Sequence, residues 1–145
     1  ANSSSHNSDV GGACWFTGQG SPGGSLGEND VDGGTTTLLS PVYDLSGLTE
    51  PNIAYWRWYV NSPAGAGDAD DVFFADISND GGQNWVNVET LDPTVQDQVG
   101  EWIRTSFRVA DHVEPTATVR MRFVASDLNS GSIVEAGIDD FEVLE

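Results

Sequence analysis

Apolar and polar residues alternate along this chain in short runs with a period of two, and turn-forming residues separate the runs. The clearest run is 53–60, where Ala54, Trp56, Trp58 and Val60 make one face and Ile53, Tyr55, Arg57 and Tyr59 the other. The wholly apolar set is expected to face the core and the set with the arginine to be amphipathic. Further strands are expected at 14–17, 35–39, 72–78, 85–91, 102–109, 119–125 and 138–143. Residues 41–47 read as an edge strand ending in a turn, because Pro41 cannot serve a central ladder. No stretch keeps a helical period. About eight evenly spaced strands in 145 residues predict an all-β fold, a two-sheet antiparallel jelly-roll sandwich forming one domain. Residues 1–12, rich in Ser, Asn and Gly, are expected to form a loose N-terminal segment.

Between two of the expected strands, Ser78-Asn79-Asp80-Gly81-Gly82-Gln83-Asn84-Trp85 fits Ser-x-Asp-x-Gly-x-x-Trp. This resembles the Asp-box of sialidase-type repeats. Asp80 can accept from turn amides, the glycines can take positive φ, and Trp85 can cover the turn. One copy in a chain too short for a propeller gives the motif a structural role, the closing of a hairpin.

Charge narrows the choice of partners. The formal charge is −18, from 23 acidic residues against five arginines and no lysine. Nucleic acid and anionic membrane surfaces demand a basic footprint, so both are excluded as partners. No apolar run approaches the roughly 18 residues of a membrane span. The single cysteine, Cys14, rules out an internal disulfide framework and reads as a small buried hydrophobe beside Trp15.

The acids concentrate in two places. Glu28-Asn29-Asp30-Val31-Asp32-Gly33-Gly34 sets three carboxylates and an amide before two glycines, and Asp139-Asp140 lies in the closing strand. Calcium takes roughly six to eight oxygens from a loop able to bend around it. In a jelly roll the first and last strands are neighbours, so the two groups are expected to meet at one structural Ca²⁺. Asp30, Asp32 and Asp139 are its expected side-chain ligands, with Glu28 or Asp140 as additions and a backbone carbonyl near Gly33. Asp139 is expected on the core-facing side with Phe141 and Val143, where a cation would offset the cost of burying it. The alternatives are a solvated acidic turn, or an ion at Asp68, Asp70 and Asp71, which otherwise read as a solvated loop tip.

The arginines alternate against apolar neighbours, which places Arg57, Arg104, Arg108, Arg120 and Arg122 facing outward. If their strands share a sheet, Arg57, Arg104, Arg120 and Arg122 line a surface with Tyr55, Tyr59, Trp102 and Asp76 that could bind a glycan. Aromatic rings stack on pyranose faces while Arg and Asp bond hydroxyls or carboxylates. The alternative is cross-strand pairing with Asp76, Glu89 or Asp111, a surface charge ladder. Catalysis has little support. The only histidines are His6, in the N-terminal segment, and His112, and no nucleophile elbow or metallopeptidase motif occurs.

Several stretches together resemble a known family. They are Cys14-Trp15-Phe16-Thr17-Gly18, Asn29-Asp30-Val31-Asp32-Gly33-Gly34 with the following Thr35 to Leu45, Tyr55-Trp56-Arg57-Trp58-Tyr59, Asp76 to Gly82, Val119 to Asp127, and the closing Ile138-Asp139-Asp140-Phe141. The set is similar to MAM-like, concanavalin-type jelly-roll modules of large secreted bacterial proteins, notably metallopeptidases and adhesin-like proteins. Animal MAM domains carry paired cysteines, so their disulfides do not carry over. The resemblance implies a secreted or cell-surface accessory domain without catalytic activity, often with a structural cation. The expected role is a calcium-stabilised module attaching a larger protein to extracellular glycan or protein ligands; the alternatives are a spacer packed on other domains of the parent chain and, more remotely, a glycan-active hydrolase. Ala1 at the start and a strand at the end fit a domain excised from such a protein.

Overall fold

The computed structural model describes residues 6, 12–18, 20–21, 24–25, 27–63, 71–92, 100–128 and 132–145. Eight strands carry nearly all of the regular structure: β1 (Trp15–Phe16), β2 (Gly34–Leu39), β3 (Asn52–Pro63), β4 (Phe73–Ser78), β5 (Val86–Leu91), β6 (Ile103–Arg108), β7 (Arg120–Asp127) and β8 (Ser132–Leu144). A 3₁₀ turn, Val109–Asp111, follows β6. The strands form two antiparallel four-stranded sheets, β1-β8-β3-β6 and β2-β7-β4-β5, which is the jelly-roll order. Among the described residues no helix is long and apolar enough to cross a membrane. Residues 41–47 form no strand; Tyr43 alone bridges to Val119. Of the expected loose segment 1–12, only His6 and Gly12 lie within the described residues.

The core faces differ from the sequence expectation at β3. Ile53, Tyr55 and Tyr59 belong to the central apolar cluster and Arg57 shares their face, only 3% exposed. Trp56 and Trp58 lie on the outer face. Both faces of β3 are covered, so apolarity alone does not distinguish them. Trp58 is buried outside the core, where its indole N–H donates to the Gly100 carbonyl. Arg57 is tolerated inside because β5, in the opposite sheet, brings Glu89 to it: the guanidinium Nε donates to Glu89 Oε1 at 2.7 Å. Tyr55 Oη and Thr105 Oγ1 donate to the same carboxylate at 2.9 and 3.2 Å. Burial pushes the Tyr55 phenol well up, with the neighbouring Glu89 charge adding to the rise.

The β4–β5 hairpin closes as its sequence implies. Asp80 Oδ1 accepts the backbone N–H of Gln83 and of Asn84, both at 2.9 Å, and the Ser78 hydroxyl at 2.7 Å. Gly81 and Gly82 adopt φ of 75° and 99°, and the Trp85 ring lies against Gly82. These bonds from Asn84 and Ser78 hold the Asp80 carboxyl far below the usual carboxylate range.

Candidate functional site

The closing strand β8 fixes where the acidic groups lie. On one side it pairs with β3 along its whole length, and on the other with β1 through Trp15↔Ile138 and Phe16↔Gly137. Val31 bridges to Val134 on the same edge. That bridge puts Asp30 and Asp32 beside Glu135, four residues from Asp139, or roughly 13 Å along an extended strand. First and last strands are neighbours, but the acids do not converge. Burial lifts the Asp30 carboxyl above the ordinary range, and the charges of Asp32 and Glu135 add to the rise. Glu28 turns to its own loop, accepting from the backbone and hydroxyl of Ser21 at 2.9 Å each. Gly33 turns with φ of 68°. Of the six expected ligands, the structure places Glu28, Asp30, Asp32 and Gly33 around the Val31 bridge and Asp139 and Asp140 further along β8. Among the described residues no group of three or more His, Cys, Asp or Glu side chains is arranged to hold a metal.

Asp71 is buried rather than part of a solvated tip. Its carboxylate accepts the Leu128 N–H and the Ser132 hydroxyl, and its carbonyl accepts the Asn61 amide. It ties β3, β7 and β8 together at one end of the sandwich. Asp68 and Asp70 lie outside the described residues.

A β-bulge explains the address of Asp139. Between Ala54 and Trp56 of β3 the register with β8 shifts by one residue, and Asp140 adopts φ of 46°. The extra residue reverses the alternation: Phe141 and Val143 pack on the core, whereas Asp139 lies opposite Trp56 on the outer face. Asp139 is nonetheless 2% exposed, because His6 covers it. The backbone N–H of His6 donates to Asp139 Oδ2 at 2.8 Å, and His6 Nδ1 lies 2.9 Å from Asp140 Oδ2. Asp139 Oδ1 accepts the Asp140 N–H at 2.8 Å. The imidazole stacks on Trp56 with centroids 3.5 Å apart and planes 19° from parallel, and it meets Trp102 edge-on at 6.3 Å. The Trp102 indole nitrogen is buried without a hydrogen-bond partner among the described residues.

The expected arginine surface is divided among three places. Arg57, Tyr55 and Tyr59 are inside. Arg122 lies outside the second sheet, bound to Asp76 at 2.8 Å and stacked over Trp85 at 4.6 Å. Arg120 reaches the Ser40 carbonyl. Arg104 and Trp102 remain on the outer face of the first sheet, where Arg104 is 3.7 Å from Glu142. Arg108 is 3.8 Å from Asp111 and 3.6 Å from Glu50. Pairing with Asp76, Glu89 and Asp111 accounts for Arg122, Arg57 and Arg108. Strands from two sheets supplied these residues, so alternation within each strand could not place them on one surface.

Two residues of the outer face escaped sequence reasoning. The apolar neighbours of Trp56 predict a core position for it, and His6 sits in a segment without periodicity. Beside the acid pair, a cleft of about 850 Å³ opens between the edges of the two sheets, lined by Trp15, Leu38, Leu39, Tyr43 and Phe141 with Asp139 and Asp140. Trp15 is 59% exposed. No protein-family model matches the chain, and no curated protein sequence matches it.

Proposed function

We propose that this chain is a non-catalytic binding module that takes a glycan on the outer face of the β1-β8-β3-β6 sheet. The observation that carries the reading is the ring-shaped place on Trp56, already filled by a flat side chain with its polar edge on Asp140. Stacking on an indole face together with hydrogen bonds to carboxylates is the chemistry by which proteins hold sugar rings. Trp102 stands at the edge of the same place, and Arg104 and Glu142 lie further along the face as hydroxyl partners. The outer face of the second sheet offers less, since Arg122 already lies over Trp85 and is held by Asp76. The resemblance to accessory modules of secreted proteins fits attachment of a larger extracellular protein to polysaccharide. Calcium has no part in the reading.

Retention on insoluble polysaccharides and a soluble oligosaccharide panel test it. Wild type is expected to be retained by at least one class, and Trp56→Ala to lose at least tenfold in affinity while keeping its melting temperature within a few degrees. Equal retention of both proteins would refute the assignment to this face. A second reading, a packing domain of a longer chain, is favoured by the exposed Trp15, Phe16, Leu39 and Val42. Under that reading no saccharide binds.

A further inference from the structure

We infer that the Trp56 place selects a protonated amino sugar, a hexosamine with a free ammonium group, and that His6 is its built-in competitor. This rests on the glycan reading above and names the class of sugar. The structure supplies the template directly. His6 lays a flat ring on Trp56 at 3.5 Å and points a ring nitrogen at Asp140 Oδ2, 2.9 Å away, while its backbone N–H reaches Asp139 Oδ2 at 2.8 Å. Two nitrogen donors thus occupy two adjacent carboxylates beneath one stacked ring.

A pyranose carrying an ammonium group reproduces that set. Its C–H face replaces the imidazole on the indole, and its ammonium supplies up to three donors to Asp139 and Asp140. The bonds are charge-assisted, stronger than those a neutral hydroxyl would make. A cation beside the indole face gains further from the ring quadrupole. The bulge holds both carboxylates in this place by turning consecutive residues toward one occupant, a geometry that sets Asp140 at φ of 46°. Acetylation of the amine removes the charge and leaves one donor. A uronic acid brings a third carboxylate to the pair on a chain of charge −18. Arg104, on the same face, lies 3.7 Å from Glu142.

His6 must leave for the sugar to enter, so the two compete. Calorimetric titration of the whole chain with a glucosamine tetrasaccharide, its fully N-acetylated counterpart and a tetragalacturonate tests the inference. The expected order is glucosamine tighter than the acetylated sugar by at least tenfold, with no measurable uronate binding. His6→Ala is expected to tighten glucosamine binding several-fold. Asp140→Asn, checked for native circular dichroism, is expected to bring the first two sugars to within about twofold. Equal affinities for the first two sugars in wild type, or His6→Ala leaving glucosamine binding unchanged or weaker, would overturn the inference while leaving a glycan module standing. If wild type and His6→Ala bind none of the three sugars, and no other saccharide, the glycan reading itself falls.

Discussion

Arg57 carries a charge into the interior of the sandwich, and Glu89 from the opposite sheet is the reason it can stay. Removing one member of a buried pair strands the other in a poor solvent, at a cost of about 3 kcal/mol or more. Glu89 also accepts from Tyr55 and Thr105, so several donors would be orphaned at once. Glu89→Ala is therefore expected to lower the unfolding free energy by at least about 3 kcal/mol in urea titration. A loss under 1 kcal/mol would mean the interior relaxes around the arginine. The sequence displayed Arg57 opposite two tryptophans, and nothing local revealed a partner 32 residues away in the other sheet.

Asp30 makes the opposite kind of contribution. Its carboxyl is raised in the folded chain, chiefly by burial and then by Asp32 and Glu135. The folded state thus holds that proton more tightly than the unfolded chain, so ionisation of Asp30 costs stability. The cost is fully present above the folded-state pKa and absent below the unfolded value of about 4. Asp30→Asn is expected to raise the melting temperature at pH 7, with the gain disappearing as the pH is lowered past about 4. A gain that grows toward acid would contradict the sign.

At the scale of elements, turn chemistry and strand spacing were legible in the sequence. The Asp80 hairpin and all eight strands follow from alternation and from Gly, Asp and Asn between the runs. The extent of β8 did not, because its first half, Ser132 to Gly137, mixes small, apolar and acidic residues without a clean period. Nor did the bulge, which a strict period of two cannot represent. It exchanges the faces of Asp139 and Phe141, and with them the candidate site. Asp140→Gly, which suits the positive φ, is expected to keep the fold within about 1 kcal/mol while bringing the amino sugar and its acetylated form to within about twofold. Deletion of Asp140 removes the extra residue and restores strict alternation, with Phe141 opposite Tyr55 and Val143 opposite Ile53 still facing the core, so cooperative thermal unfolding is expected to persist. A deletion variant that no longer unfolds cooperatively would show that the extra residue itself is needed to hold the β3–β8 register.

For the molecule as a whole, the jelly-roll order was legible because eight strands in a short chain have few ways to close. It correctly made the first and last strands neighbours. What it could not give was the register along β8, fixed by the Val31↔Val134 bridge, which separates the two acidic groups. The outer face became visible only in three dimensions, where an N-terminal histidine, a β3 tryptophan, a tryptophan preceding β6 and a bulged β8 meet. Indole NMR reads that face most directly, since the five tryptophans report from different surfaces. Titration with a bound oligosaccharide should shift the Nε1–H signals of Trp56 and Trp102 together and leave Trp85, outside the other sheet, unmoved. Shifts confined to Trp85 or Trp15, with Trp56 and Trp102 silent at saturation, would contradict the account.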